Sequence, residues 1–146
     1  MKSVLSGVLF LIVGLGFSQS DYEKAKTLFN DYFSKEGGEK KDFYEEEIVR
    51  LAPASEFGMF VRAWWLYEDS LCKDALFISD SIISHYPGFG PAYYAQGCFL
   101  NNCKQDYENA KYYFEKCIEL KPDFYGAYRN LGITWFNMDD YEKAGD

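Results

Sequence analysis

The sequence predicts an all-α fold, a right-handed stack of antiparallel helical hairpins. One phrase, Asp-Tyr-Glu-Lys-Ala or Asp-Tyr-Glu-Asn-Ala, occurs at residues 21–25, 106–110 and 140–144. Its last two copies start 34 residues apart, a period typical of helix-turn-helix arrays. Apolar residues also recur at helical spacing in segments separated by short gaps, which favours antiparallel neighbours. Such arrays are stabilised by stacking and usually present a binding surface rather than catalytic groups.

Composition limits both the class of protein and the class of partner. The chain has 146 residues, enough for one domain or for about three or four helical hairpins. Its hydrophobic and aromatic fractions, 48% and 20%, are too high for a disordered segment. The formal net charge of −8, with no basic stripe, disfavours nucleic acids and anionic membrane surfaces as partners.

The N-terminus is typical of a secretory signal peptide of eighteen residues. Lys2 supplies the positive start, and residues 4–17 are uncharged and mostly apolar. Gly16 and Ser18 place small side chains before a cut ahead of Gln19. An uncleaved anchor is the alternative, although the stretch is shorter than the about 20 apolar residues of a bilayer span. Its Phe-Ser-Gln end resembles signals of envelope proteins from Bacteroidetes-type Gram-negative bacteria, which implies export to the periplasm or cell surface.

The first predicted helix covers residues 20–34, and a polar loop follows at 34–41. Ser20 and Glu23 have the spacing of a capping box at the helix start. Apolar residues then fall on one face at helical spacing, namely Ala25, Leu28, Phe29, Tyr32 and Phe33. Two adjacent glycines in the loop end that pattern.

The second predicted helix covers residues 42–51 and ends before Pro53. Its inward residues are expected to be Phe43, Tyr44, Ile48 and Leu51. Four acids crowd its first turns, where the helix dipole favours negative charge: Asp42, Glu45, Glu46 and Glu47. We interpret them as a solvated acidic face, because a Ca²⁺ loop would need a Gly and alternating ligands.

The pattern becomes regular after these two helices. Further helices are predicted at about residues 56–69, 73–85, 90–103, 107–120 and 124–138, with another starting at 141. Asp106 and Asp140 have the positions of N-caps, and Pro87 and Pro122 follow helix ends. After the signal peptide at 1–18, the predicted domains are an N-terminal hairpin at 19–55 and repeats at about 56–89, 90–124 and 125–146.

The last repeat is incomplete, because a helix that starts at Tyr141 has only about one turn before residue 146. Leu131 and Trp135 would then lie on an uncovered apolar face. Such a face indicates either an interface, for example between two copies of the chain, or a chain that continues. We expect the second, which makes this sequence the N-terminal part of a longer protein.

These segments resemble the tetratricopeptide repeat (TPR), a 34-residue hairpin with small or apolar residues at fixed positions. In the third repeat, positions 4, 8, 20, 24, 27 and 32 hold Tyr93, Gly97, Ala110, Phe114, Cys117 and Pro122, given one extra residue near 101–102. In the fourth, positions 4, 7, 8, 11 and 20 hold Tyr128, Leu131, Gly132, Trp135 and Ala144. The second is degenerate, with Ser79 in place of an aromatic residue. The resemblance covers residues 56–146, whereas 20–51 share only the repeated phrase.

Four cysteines, Cys72, Cys98, Cys103 and Cys117, would allow three full pairings in an exported chain. Cys72 and Cys103 both lie near inter-helix turns of adjacent repeats, so they are the pair we favour for a single disulfide. The alternative is that all four are buried thiols acting as small apolar residues. A zinc site is disfavoured, because no Cys-x-x-Cys pair occurs.

Catalytic motifs are missing from the sequence. The only histidine, His85, lies at a predicted helix end, where positive charge is favourable. The sequence has no Gly-rich phosphate loop, no His-Glu-x-x-His and no Gly-x-Ser-x-Gly. We therefore expect no enzyme activity, no metal and no cofactor within these residues.

The resemblance implies a candidate site, since the first helix of each TPR lines the concave face of the array. The face positions 2, 5, 9 and 12 hold Phe57, Phe60, Trp64 and Tyr67 in the second repeat, Tyr94, Cys98 and Asn101 in the third, and Arg129, Ile133 and Phe136 in the fourth. They predict an aromatic groove with one cation, and the alternative is that several of these side chains pack in the core. We expect Tyr94→Ala and Arg129→Ala to weaken partner binding without unfolding the array.

The predicted function is a non-enzymatic scaffold of the cell envelope that binds a protein or peptide on this face. Some TPR proteins clamp a C-terminal carboxylate with Lys and Asn at positions 5 and 9. Here position 9 is Trp64, Cys98 or Ile133, which argues against such a clamp. The alternative is a sensor input region or a glycan-binding region of a longer protein, since aromatic faces suit sugars.

Overall fold

The computed structural model describes residues 16–33 and 40–145, the last six of them by backbone alone. Its helices are α1 (Gln19–Tyr32), α2 (Lys41–Leu51), α3 (Glu56–Glu68), α4 (Cys72–His85), α5 (Gly90–Phe99), α6 (Tyr107–Leu120) and α7 (Tyr125–Gly145), with a π-helical turn at Leu100–Lys104 after α5. No strand occurs in these ranges, so the predicted all-α class is confirmed. The apolar part of the predicted signal peptide and most of the predicted polar loop lie outside the described residues. None of the helices described is both long and apolar enough to cross a bilayer.

The chain divides into two compact units between Arg62 and Ala63, inside α3. Unit 1 contains α1, α2 and the first half of α3, and unit 2 contains the second half of α3 with the helices that follow. The domain boundary predicted at residue 55 lies just before α3, whereas this division falls within α3.

Unit 1 has an aromatic core around Phe29 of α1. The centroid of its ring lies 5.1 Å from that of Phe57 and 5.3 Å from that of Phe60, both on α3. Ala25, one turn before Phe29, and Ile48 on α2 are fully buried. Large aromatic rings bury much apolar area, so these contacts stabilise unit 1.

The start of α1 is capped by Ser18. The backbone N–H of Asp21 donates to the Ser18 Oγ at 3.0 Å, and the Ser18 hydroxyl donates to the Asp21 carboxylate at 2.6 Å. The side-chain hydrogen bond is the main cause that lowers the pKa of Asp21. The predicted cap at Ser20 is therefore wrong, since Ser20 already lies inside the helix and the same three-residue spacing is used by Ser18 and Asp21.

Two predicted orientations on α2 are wrong. Phe43 is 57% exposed rather than inward. It precedes the buried Ile48 by five residues, which places it about 140° away around the helix axis. Glu45, expected on a solvated acidic face, is buried, and its carboxylate accepts a hydrogen bond of 3.1 Å from the Tyr32 hydroxyl. Lys41, one turn earlier, lies 3.7 Å from the same carboxylate oxygen.

In unit 2, α5 packs against α6 through a ring-and-glycine contact. The ring of Phe114 comes within 2.7 Å of the position that a Cβ on Gly97 would occupy. Ala110 and Cys117, on the turns before and after Phe114, are fully buried with it. The small residue on α5 therefore sets how closely the two helices approach, because only hydrogen fits beside the ring.

A buried polar pair joins α4 to α5. The Ser79 hydroxyl donates a hydrogen bond to the side-chain oxygen of Gln96, and both residues are buried. Ser79 stands where the repeat usually has an aromatic residue. Because its buried hydroxyl has a hydrogen-bond partner, it avoids the free-energy cost of an unpaired polar group.

α7 repeats the geometry of α5. The hydroxyl of Tyr93 on α5 donates to the carbonyl oxygen of Pro87 at 3.0 Å, and that of Tyr128 on α7 donates to the carbonyl oxygen of Pro122 at 3.1 Å. The two tyrosines lie 35 residues apart, one more than the separation of the repeated phrases at 106 and 140. The extra residue therefore lies between α5 and α6.

The structure places that extra residue in the π-helical turn Leu100–Lys104, which ends at Gln105 in the left-handed conformation. This is where the sequence required an insertion, and π turns commonly mark single-residue insertions in helices. Cys103 lies in the turn and is joined by a disulfide to Cys72 at the start of α4, the pair that the sequence favours. Cys98 and Cys117 are free and buried.

The end of the described chain differs from the prediction. α7 runs without a break from Tyr125 to Gly145, so Asp140 does not start a new helix. By contrast, the predicted cap at Asp106 is confirmed, since its side chain accepts from the backbone N–H of Asn109 at 3.3 Å. The difference follows from the chain before each phrase: the turn at Gln105 reverses the chain ahead of Asp106, and nothing comparable precedes Asp140.

Candidate functional site

Phe57 and Phe60 do not belong to an accessible face. Both are buried, with 5% and 1% of their surface exposed, and both pack on Phe29 of α1. Their predicted role in binding a partner is therefore not compatible with the structure. The physical reason is that α1 covers them: its buried Ala25 and Phe29 are a small residue and an aromatic ring four positions apart, as Ala110 and Phe114 are on α6.

Trp64 and Tyr67, on the half of α3 that belongs to unit 2, are half-buried. Trp64 packs edge-on against Phe99, with ring centroids 5.1 Å apart, and Tyr67 stacks on the same ring at 5.0 Å. The Tyr67 hydroxyl accepts a hydrogen bond of 3.0 Å from the side-chain amide of Asn102. Both side chains are therefore held in place by packing, and part of each remains accessible to a ligand.

Tyr94 is also half-buried, and it packs its ring 4.9 Å from that of Phe124. Its hydroxyl accepts from the Asn130 side-chain amide at 3.2 Å, and burial raises its pKa. Because truncating this ring would open a gap in the core of unit 2, the expectation that Tyr94→Ala leaves the fold unaffected is not supported. Tyr94→Phe is the variant that removes the hydroxyl alone.

A row of hydrogen-bonded polar side chains connects α3, the turn after α5, and α7 in unit 2. The Asn102 amide that binds Tyr67 has its carbonyl oxygen 2.9 Å from the Asn101 amide nitrogen. The Asn101 carbonyl oxygen in turn accepts from the Thr134 hydroxyl on α7 at 3.1 Å. Asn101 was predicted as a site residue, whereas Asn102, Asn130 and Thr134 were missed. Asn101 and Asn102 reach the other members of this row because they lie in the π-helical turn. No pattern in the sequence predicts the geometry of that turn.

The most accessible part of the predicted site lies on α7. Arg129 is exposed, Ile133 is 46% exposed and Phe136 is 66% exposed. They follow one another at four- and three-residue spacing and so share a side of the helix. Arg129 forms no ion pair with any described residue, which leaves its guanidinium available to a ligand.

Cys98, at the centre of this surface by sequence, is not a reactive group. It is 4% exposed, and burial raises the pKa of its thiol to about 11. Burial likewise raises the pKa of Cys117 to about 12. A thiolate is the nucleophilic and metal-binding form of cysteine, so neither residue offers that chemistry at neutral pH.

His85 and Cys72 do not form a nucleophile–base pair. His85 is exposed at the end of α4, with its Nδ1 2.8 Å from the backbone oxygen of Ser81. Cys72 is held in the disulfide and so presents no free thiol. No group of three His, Cys, Asp or Glu within the described ranges is arranged to hold a metal ion. What the surface offers is a cation, exposed apolar groups and side-chain amides.

Comparison with known proteins identifies the fold. No protein-family model matches the chain, and no curated protein matches it. Among solved structures, the first TPR domain of human RPAP3 aligns with a TM-score of 0.59 and 18% identity, over 82% of this chain and 93% of that one. The first TPR of Spaghetti (RPAP3), bound to the HSP90 peptide SRMEEVD, gives 0.57 and 16%, over 84% and 97%. A double mutant of MamA RS-1 gives 0.53 and 16%, over 97% and 87%. The chain therefore has the tetratricopeptide-repeat fold, the stack of antiparallel helical hairpins that the sequence predicts.

Proposed function

We propose that this protein is a non-enzymatic module that binds a peptide segment of a partner protein on the first helices of unit 2. The observation that carries the proposal is the exposed side of α7, where Arg129, Ile133 and Phe136 lie beside the polar row of Asn101 and Thr134. A cation next to exposed apolar groups is typical of peptide-binding patches. The solved complex of Spaghetti with a peptide supports a peptide-binding use of this fold.

The ligand that fits this surface is an extended peptide with a carboxylate next to an apolar side chain. The Arg129 guanidinium would pair with the carboxylate, and Phe136 with Ile133 would contact the apolar group. Asn101 would offer its amide to the peptide backbone. The mode differs from the carboxylate clamp of some TPR proteins, because Cys98 is buried and Ile133 is apolar at the positions where such a clamp needs a donor.

The proposal includes a place in the cell envelope. Two features support it: the signal-like N-terminus and the Cys72–Cys103 disulfide, since such bonds persist in oxidising compartments. Cell fractionation with a C-terminal epitope tag, followed by determination of the N-terminal residue, tests the location. Recovery of the unprocessed chain from the cytoplasm would contradict it.

Selection from a displayed library of random twelve-residue peptides tests the binding function. We expect enriched peptides to share an acidic residue beside an apolar one, and Arg129→Ala and Phe136→Ala each to weaken their binding about tenfold or more. Phe77→Ala is the matched control, because Phe77 is a 74% exposed phenylalanine on α4, a second helix. No enrichment, or equal losses in the Phe77 and Phe136 variants, would overturn the assignment.

A further inference from the structure

The π-helical turn at Leu100–Lys104 connects the candidate site to the disulfide. Asn101, the second residue of the turn, belongs to the polar row that reaches α7. Cys103, two residues further on, is bonded to Cys72 at the start of α4. One short segment therefore carries both a side chain of the site and a covalent link to a helix outside it.

This turn is not a conformation that the chain favours by itself. π-helical turns are rare, and this one ends at Gln105 with φ of 54°, a left-handed conformation that side chains beyond Cβ disfavour. None of the five residues Leu100–Lys104 is buried, so the turn is not held by packing in the core. Contacts with other elements must therefore stabilise it.

Three side-chain links join the turn to other elements of the described chain. One is the disulfide. The others are the hydrogen bond of 3.0 Å from the Asn102 amide to the Tyr67 hydroxyl and that of 3.1 Å from the Thr134 hydroxyl to Asn101. Hydrogen bonds between neutral side chains add little net stability, because water competes for the same groups. The disulfide is thus the strongest of the three links.

The turn sets the position of one hydrogen-bond donor in the site. The Asn101 amide carries two N–H groups, and one of them donates to the Asn102 side-chain oxygen at 2.9 Å. The second has no acceptor among the described residues and can donate to the backbone of a bound peptide. Its place relative to α7 depends on the turn that the disulfide holds.

We propose that the Cys72–Cys103 disulfide controls peptide binding: the oxidised protein holds the Asn101 donor in place, and reduction by a dithiol releases it. This inference rests on the peptide-binding function proposed above. In the reduction, the dithiol supplies two electrons and two protons; the S–S bond breaks, two cysteine thiols form, and the dithiol becomes a disulfide. Both cysteines are only half-buried, which leaves the bridge open to a small dithiol.

NMR of the full chain without peptide tests the structural step. The side-chain amide resonances of Asn101 and Asn102 are compared before and after addition of dithiothreitol. We expect both to shift, because their turn has lost its strongest link. Asn130 is the internal control: its amide donates to Tyr94 and Cys98 on α5, away from the bridge, and its resonance should stay in place.

Fluorescence anisotropy tests the effect on binding, with a labelled copy of the twelve-residue peptide most enriched on the oxidised protein. Reduction should weaken binding about threefold to tenfold, as expected for the loss of one hydrogen bond. Asn101→Ala should weaken binding by the oxidised protein to the same extent and make it insensitive to reductant. Arg129→Ala is the matched comparison, since binding should weaken but keep its full redox dependence.

Circular dichroism establishes that the reduced chain is folded. If helix is lost, the titration is repeated in trimethylamine N-oxide, which favours the compact state. Equal affinities of the oxidised and reduced proteins would overturn this inference alone, as would unchanged binding by oxidised Asn101→Ala or an equal shift of the Asn130 resonance. A library that yields no peptide for the oxidised protein would overturn the peptide-binding function and this inference with it.

Discussion

The ring of Phe114 and the α-carbon of Gly97 are in such close contact that a methyl group on the glycine would come within 2.7 Å of the ring. Phe114 is fully buried and cannot swing into solvent to make room. We therefore predict that Gly97→Ala lowers the free energy of unfolding by about 1–2 kcal/mol, since overpacking costs about 1–3 kcal/mol and alanine returns up to about 1 in helix propensity. Chemical denaturation, followed by circular dichroism, measures the change.

The matched control for that substitution is Gly132→Ala. The same residue type, at the corresponding position of α7, meets no described atom within 4 Å. We expect unchanged stability or a gain of up to about 1 kcal/mol from helix propensity. Equal losses in the two variants would show that the Gly97 contact does not limit helix approach.

Ser55 is predicted to be important for the start of α3. It is fully buried; its hydroxyl donates to the Ala52 carbonyl at 2.7 Å and accepts from the Gly58 N–H at 3.2 Å. Ser55→Ala should cost about 1–2 kcal/mol of stability, because a cap is lost and a buried N–H loses its partner. Thermal unfolding checks this, with the exposed Ser84→Ala as control, which should change stability by less than about 0.5 kcal/mol.

The disulfide is predicted to contribute about 3–4 kcal/mol, from the chain entropy of closing a segment with a sequence separation of 31. The Cys72→Ser/Cys103→Ser double variant should unfold at correspondingly lower denaturant concentration. Dithiothreitol should destabilise the wild-type protein by a similar amount and leave the double variant unaffected. A wild-type midpoint that ignores reductant would contradict the bridge, as would an intact mass that does not rise by about 2 Da on reduction.

Alkylation kinetics should separate the two kinds of cysteine. Burial holds the pKa of Cys98 at about 11 and of Cys117 at about 12, so little of either thiol is ionised at pH 8. We expect iodoacetamide to label both at least about a hundredfold more slowly than a free cysteine, and labelling to accelerate only as pH approaches 11 or the protein unfolds. After mild reduction, Cys72 and Cys103 should react first. Rapid labelling of Cys98 in the native, oxidised protein would contradict its burial.

The helices were predictable because their apolar spacing and their proline, glycine and capping signals agree. The ends of α2 to α6 fall within one residue of the prediction once the π-helical turn is counted with α5. The exceptions are positions where two local signals compete. Ser18 and Ser20 are each followed by an acidic residue three positions on, and the helix begins after the first of them, with Ser18 as its N-cap. At Asp140 the phrase typical of a helix start was overridden, because the chain before it continues as helix.

The candidate site was predictable only in part, because sequence position does not say which helix covers which. Phe57 and Phe60 have the spacing of a binding face, yet α1 buries them. Arg129 and Phe136 have the same spacing and are exposed. The distinction depends on a contact between residues far apart in sequence, which periodicity cannot reveal. Asn130 and Thr134 escaped notice because isolated polar residues on a helix are ordinary surface residues unless their partners are known.

The π-helical turn at Leu100–Lys104 ties the length of this repeat to its disulfide. Deleting one residue there would restore the 34-residue period and leave the helix pairs of the array able to stack as before. It would also rotate Cys103 by about 100° around the helix axis, away from Cys72. The insertion and the bridge are therefore coupled: a variant that lacks one residue of the turn is expected to lose the covalent bond as well, even though both cysteines remain in its sequence.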